Sequence, residues 1–426
     1  MITGKKAFFV ATFAIVLYFV RYFLKDDLPP VVEGFFLPEF RAVAELFRKQ
    51  VESGAEKGGN FAAYYKGELV VDLWGGYADR ESHQRWKNDT LATTFSTTKG
   101  VVSILAAKMV EKGYLDYNKL VSDYWPGFGS NGKENVTVSI LLSHQAGLAY
   151  LDKKISLIEY ELDPDKIRNI LGSERPKWPP GTGFAYHGIT FGFYVDQLLM
   201  LADPEKRKVD KLFSEEVAQP FDLDLYIGLP RCELYRATRF ELVSVYAYVW
   251  KILFTPSMWN RLWIFLRYPD GIANKGTKVL KEPITCDPAL RCIPLSSFNG
   301  HGNARSLAKL YGILANGGKY KNKVLLSQDT IDLLFSPVAT GLSLDLGDHN
   351  VLGRGVVAYD NIKGEECYGH PGYGGQMGFS DLKNKVGMAY LTNDLSVYGL
   401  GNDPKFIALQ TEFYKSLEIY ISRTRR

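Results

Sequence analysis

The chain has 426 residues, 46% of them hydrophobic and 23% charged, so it can bury a large core and is a globular protein rather than a disordered one. Its net charge of +4 is dispersed, with no long basic block beyond the short tail 423–426, which leaves nucleic acid without an electrostatic footprint. No Cys-x-x-Cys pair and no His-x-x-x-His spacing occurs, so no metal site is expected, and no cofactor is implied.

The N-terminus stands apart. Lys5 and Lys6 precede an uncharged apolar run, 7–20, which Tyr22, Phe23 and Leu24 extend past Arg21. With Arg21 snorkelling, about 18 residues reach across a thin bilayer. No small-x-small cleavage site follows; the chain runs into Lys25, Asp26, Asp27 and Leu28-Pro29-Pro30. The expectation is a signal anchor and linker over 1–30, a single-pass membrane protein whose domain over 31–426 faces the lumen or the exterior. Secretion or a mitochondrial address is the alternative. Asn88-Asp89-Thr90 and Asn135-Val136-Thr137 are glycosylation triplets that fit the secretory side. The 4 cysteines, Cys232, Cys286, Cys292 and Cys367, read either as disulfides, with Cys286 and Cys292 closing a small loop, or as thiols.

Beyond the linker, Phe40, Val43, Ala44 and Phe47 recur at helical spacing and predict an amphipathic helix over 40–51. FAAYYKGELVVDLWGG (61–76) reads as a β-hairpin about Lys66-Gly67. TTKGVVSILAAKMVEKG (97–113) reads as a helix with Val101, Leu105, Met109 and Val110 on one side and Gly113 as its stop. Short helices are expected at 138–143 and 305–315, the latter ended by Asn316-Gly317-Gly318, strands at 355–359 and 386–392, and a final helix at 404–421. The aromatic stretch 241–268, with Trp250, Trp259 and Trp263, predicts a core helix pair, with a hydrophobic lid or membrane-facing patch as the alternative. Helices in the middle and strands toward both ends indicate an α+β or α/β sheet domain interrupted by a helical one.

FSTTKG (95–100) sets Ser96 at the start of an apolar helix and Lys99 one turn on, where i and i+3 share a face. A serine hydroxyl needs a base to take its proton. A lysine becomes that base only when burial and positive potential lower its affinity for the proton. The helix N-terminus supplies such potential and also offers N–H groups to a developing oxyanion. By itself Ser-x-x-Lys is a common spacing, and a Ser N-cap with an ordinary lysine is the alternative.

The motifs that follow change the weighting: LLSHQAGL (141–148), PPGTGFAYHG (179–188), GNARSLAKLYGILANGG (302–318) and GHPGYGGQMGFSD (369–381). With these, the chain over roughly 36–420 resembles the serine β-lactamase-like superfamily of class C β-lactamases, DD-peptidases, related carboxylesterases and animal β-lactamase-like proteins. The resemblance implies an antiparallel sheet flanked by helices beside an all-helical subdomain, here about 115–300, with the site between them. It implies Ser96 as the acylated nucleophile, Lys99 as its proton-shuttling partner, and Tyr186 as the tyrosine of a Tyr-x-Asn motif. It matches His370-Pro371-Gly372 to a Lys-Thr-Gly motif in its variant with histidine first, so that His370 and Gly372 line the substrate, and it makes the N–H groups of Ser96 and Tyr373 the oxyanion hole.

Gly188 departs from the pattern, removing the amide that would bond a substrate amide; His187 is the residue placed to fill the gap. The expected substrate is therefore a small-molecule or lipid-like ester, or an amide, rather than a β-lactam antibiotic. A serine peptidase, as in an animal relative that resides in mitochondria, and a catalytically inactive scaffold or filament-forming protein are the alternatives. Oligomeric state is not legible. GFGSNGKE (127–134) mimics a phosphate loop but has Glu134 where Ser or Thr is required and no strand before it. No Gly-x-Ser-x-Gly elbow is present. His144 is expected to pack or cap near the site, and Asp381 to fix a turn.

Overall fold

Lys66 and Gly67 both take positive φ, 52° and 84°, the backbone that a tight hairpin turn with the right twist requires. They join strands Gly58–Tyr65 and Glu68–Asp79, so the predicted hairpin forms and is longer than its sequence pattern. The structure, a computed structural model, describes Thr12, residues 28–240, Ile252, Leu253, 255–396, Tyr398 and 401–424.

The hairpin enters an antiparallel sheet ordered Val32–Phe36, Glu68–Asp79, Gly58–Tyr65, Val386–Thr392, Met377–Asp381, Glu366–Gly369, Val357–Asp360, His349–Leu352 and Ala339–Leu342. Chain ends therefore meet at its centre, with Ala62 opposite Ala389. Alternation along these two strands sorts the core. Ala62, Tyr64, Ala389 and Leu391 face Leu307 and Ala308 of the Ala304–Ala315 helix. Phe61, Ala63, Met388 and Tyr390 face Phe47 and Phe413 of the helices Arg41–Glu52 and Pro404–Thr424. This is the expected α+β architecture, an antiparallel sheet flanked by helices.

The regular elements described within 115–299 are helices, including Val138–Leu142, Pro164–Ser173 and Thr190–Ala202, apart from the short strand Leu225–Ile227. Its Phe193 and Leu198 belong to the same buried cluster as Leu307 under the sheet. Thr190–Ala202 was not legible because it is buried nearly all round and so shows no amphipathic period. The same holds in part for Thr97–Glu111, where buried residues surround the helix rather than line one side.

Some expectations are corrected. Among the described residues no helix is long and apolar enough to cross a membrane, so the single-pass topology and the lumenal or extracellular placement built on it do not stand. The apolar run behind that expectation lies, Thr12 apart, outside the described residues, as does Trp250. The glycoprotein reading depended on that placement and falls with it. All four cysteines are free thiols, so Cys286 and Cys292 close no loop. The helix Pro256–Arg267 is not a core helix: Trp259, Trp263 and Leu266 are 54%, 61% and 71% exposed, because no described element covers that face. Lys133 of the phosphate-loop mimic is fully buried and donates to the carbonyls of Ser130, Gly172 and Glu174 at 2.8, 3.0 and 2.6 Å. Asp381 does hold its turn, accepting from Asn384 N at 2.8 Å, and also ties the last helix to the sheet through Tyr414 Oη at 2.6 Å.

Candidate active site

The turn before Ser96 is strained and heavily braced. Phe95 has φ 45°, a left-handed conformation that costs a bulky residue about 1–3 kcal/mol. Its ring is held between Phe240 and Tyr373, with centroids 5.4 and 5.6 Å away. Thr98 Oγ1 donates to Phe95 O at 2.5 Å and accepts from Gly300 N at 3.0 Å, fastening the turn to the strand Gly300–Gly302. The result is a half-exposed Ser96 at the N-cap of Thr97–Glu111.

Lys99 is fully buried, and its Nζ lies 3.2 Å from Ser96 Oγ and 2.7 Å from Ser297 O. Burial alone lowers its proton affinity well below that of an ordinary lysine. Nζ also sits 4.9 Å from the centroid of the Tyr186 ring. Tyr186 Oη is buried without a partner of hydrogen-bond geometry. Burial raises its pKa, with the nearby Ser96 hydroxyl opposing the rise and Asp345 adding to it. An amine whose neutral form burial favours and a phenol whose protonated form burial favours thus flank one hydroxyl.

His370-Pro371-Gly372 runs along the other side of the turn. A Cβ on Gly372 would come within 2.6 Å of Thr94 O and 2.8 Å of Thr97 Oγ1, so only glycine lets the strand lie this close to the nucleophile turn. Gly100 plays the matching part on the helix, where a Cβ would meet Tyr311 Oη at 2.3 Å and His370 Cβ at 3.0 Å. Tyr373, the next residue, is 53% exposed at the mouth.

His187 is placed differently from a substrate contact. Its Nε2 accepts from Leu148 N at 2.9 Å and its Nδ1–H donates to Ala185 O at 2.7 Å, which engages both ring nitrogens with backbone. Burial holds it down to about 4, hence neutral. His144 accepts from His187 N at 3.2 Å and packs 5.2 Å from the Tyr186 ring. Gly188 leaves room beside the site, since a Cβ there would meet only the Tyr186 ring, at 3.4 and 3.5 Å.

Three contributors carry no local signal in the sequence. Ser297 acts through a backbone carbonyl, which any residue supplies. Asp196 is buried and accepts from Ser296 N at 3.2 Å and from the Ser296 hydroxyl, fixing the segment that presents Ser297 O. Asp345 accepts from Tyr186 N at 3.2 Å across a large sequence separation. Beside Tyr186 and His370 opens a cavity of about 600 Å³. Among the described residues no group of His, Cys, Asp or Glu is arranged to hold a metal ion.

The family model described as Beta-lactamase matches residues 43–409. Esterase/beta-lactamase LipL of Mycobacterium tuberculosis is 30% identical over 371 residues, covering 84% of this chain and 82% of that protein. The crystal structure of a family VIII carboxylesterase superposes with a TM-score of 0.80 at 31% identity, covering 91% of this chain and 100% of that one. A penicillin-binding protein homologue from Caulobacter crescentus gives a TM-score of 0.76 at 30% identity over 91% and 100% of the two chains.

Proposed function

This chain belongs to the beta-lactamase family and is a serine hydrolase of the esterase-like kind, and from that premise we propose that Ser96, Lys99 and Tyr186 carry its reaction. Ser96 Oγ attacks the carbonyl carbon of an ester or amide while neutral Lys99 takes its proton. The N–H groups of Ser96 and Tyr373 receive the developing oxyanion. Tyr186 protonates the leaving group as its bond breaks, and the ammonium of Lys99 returns a proton to Tyr186. Water then hydrolyses the acyl-serine by the same relay in reverse.

The observation that carries this reading is the fully buried Lys99 Nζ, 3.2 Å from Ser96 Oγ, with burial as the sole cause of its lowered proton affinity. Environments that push Lys99 down and Tyr186 up divide the base and acid roles between them. The structural unit proposed for this chemistry is 31–426, and its helical part, about 115–300, contributes His144, Phe184, Tyr186 and Arg261 to the lining of the cavity.

An ester is the favoured substrate over a β-lactam, because Gly188 offers no amide to bond one. Small-molecule or lipid-like acyl groups both fit a cleft flanked by a second groove lined by Ile264, Tyr268, Leu344 and Leu346, of which Tyr268 and Leu344 are exposed. Ser96→Ala is expected to abolish turnover of a short-chain p-nitrophenyl ester and to remove the acyl adduct from early-time intact mass spectra. Undiminished turnover in that variant would sink the assignment.

A further inference from the structure

The cavity beside Tyr186 has a wall with a distinct chemistry. His370 Nδ1 lies 2.7 Å from Pro371 O. A carbonyl only accepts, so Nδ1 bears the hydrogen and Nε2 presents a bare lone pair. That Nε2 is buried and without a partner, on a side chain only 1% exposed that lines the cavity. Asp345, on the same wall, uses Oδ2 to accept from Tyr186 N, while its Oδ1 is buried with no donor. Buried acceptors left unmatched each cost about 1–3 kcal/mol, which a ligand bringing donors recovers.

Charge points the same way. Asp345, Asp348 and Asp360 line the cavity against Arg261, which is 2.9 Å from Asp348 and so engaged with it. Burial keeps His370 neutral, down to about 3, so the imidazole on this wall supplies no countercharge.

We propose that this cavity is the leaving-group subsite and that it selects esters whose alcohol carries a protonated nitrogen, with Asp345 as the specificity-determining residue. The placement rests on Tyr186 being the acid of the reaction, because the leaving oxygen must lie within hydrogen-bond reach of Tyr186 Oη and that atom's ring lines the cavity. As the acyl C–O bond breaks, the oxygen takes the Tyr186 proton, and the departing amino alcohol occupies the space in front of Asp345. No co-reactant other than water is required. A carboxylate on the leaving side would face the unpaired Asp345 oxygen and is disfavoured.

The test compares dimethylaminoethyl butyrate, protonated at neutral pH, with isoamyl butyrate, its uncharged isostere, on the full chain. The wild type is expected to favour the cationic ester by about tenfold in kcat/KM. The ratio falls toward unity in Asp345→Asn. Calorimetric binding of both esters to Ser96→Ala reads the subsite without turnover, and the cationic ester is expected to bind about tenfold tighter there too. Equal binding of the two esters overturns the subsite. Ser96-dependent turnover of both esters at equal rates overturns the subsite while leaving the hydrolase assignment standing. Tighter binding of the cationic ester with no turnover of either leaves a cation-binding cavity but overturns its assignment as the leaving-group subsite, together with the roles given to Ser96 and Tyr186.

Discussion

Lys99 is the residue on which the proposed chemistry turns, and its environment makes a signed forecast. Full burial favours the neutral amine, so kcat/KM should rise with pH through the lowered Lys99 titration and reach its plateau below the range of a free lysine. Lys99→Arg keeps a proton at every accessible pH and is expected to lose roughly 10²–10⁴-fold in kcat/KM. A pH–rate profile of the wild type beside that variant checks both statements. Gly188 gives the complementary test. The space beside the Tyr186 ring accepts a side chain, so Gly188→Asn should fold and should raise turnover of a chromogenic β-lactam relative to an ester by about tenfold. An unchanged ratio would mean that substrate preference is set elsewhere. At this scale the motif letters made Ser96, Lys99 and Tyr186 visible as candidates. The engagement of both His187 nitrogens by Leu148 N and Ala185 O was not visible, because neither partner is marked by its residue type.

Helix-on-sheet contact at the element scale depends on glycines facing each other. A Cβ on Gly387 would lie 2.1 Å from Gly312 N and 2.3 Å from Gly312 Cα, where strand Val386–Thr392 meets helix Ala304–Ala315. Gly387→Ala must therefore lift that helix from the centre of the sheet, and a loss of about 1–3 kcal/mol is expected in denaturant unfolding. Activity should fall with it, since Tyr311 of the same helix lies against Gly100 and so against the nucleophile helix. Elements with a clear period were legible: the first amphipathic helix, the hairpin and the last helix all appear close to where the pattern put them. Short strands such as Glu366–Gly369 and Met377–Asp381, which pair with each other and with their sequence neighbours Val357–Asp360 and Val386–Thr392, were not separable from the Gly-rich motif between them, because so few residues carry too little alternation to set a strand apart.

For the whole molecule, burial of neutral imidazoles links stability to pH. His187 is held down to about 4, and His301 and His370 to about 3, in each case chiefly by burial. Between those values and the ordinary histidine range the unfolded chain binds more protons than the folded one, so stability falls as pH falls. Each unit of that window removes on the order of 1.4 kcal/mol per fully titrating group. Asp196, raised to about 7 by burial, has the opposite sign and gains stability as pH falls toward the ordinary aspartate range. Three imidazoles outweigh one carboxyl. The urea midpoint is therefore expected to drop between pH ~7.5 and pH ~5, and a midpoint that holds or rises would show these histidines to be protonated in the folded state.

What the sequence by itself determined was the chemistry available and its order along the chain. FSTTKG, the tyrosine of FAYHG and the His370-Pro371-Gly372 triplet are local patterns, and local patterns constrain backbone and residue type. Tertiary structure decided which of those groups meet and in what protonation state. Lys99 is proposed as a base because the surrounding core removes water from it, and its Nζ is held in place by the carbonyl of Ser297, 198 residues away. The acidic wall contributed by Asp345 lies 159 residues from the backbone N–H it holds at Tyr186, so its charge enters the site through the fold alone. Proton affinity and electrostatic potential depend on distance in space and on exclusion of solvent, and neither quantity is written in residue order.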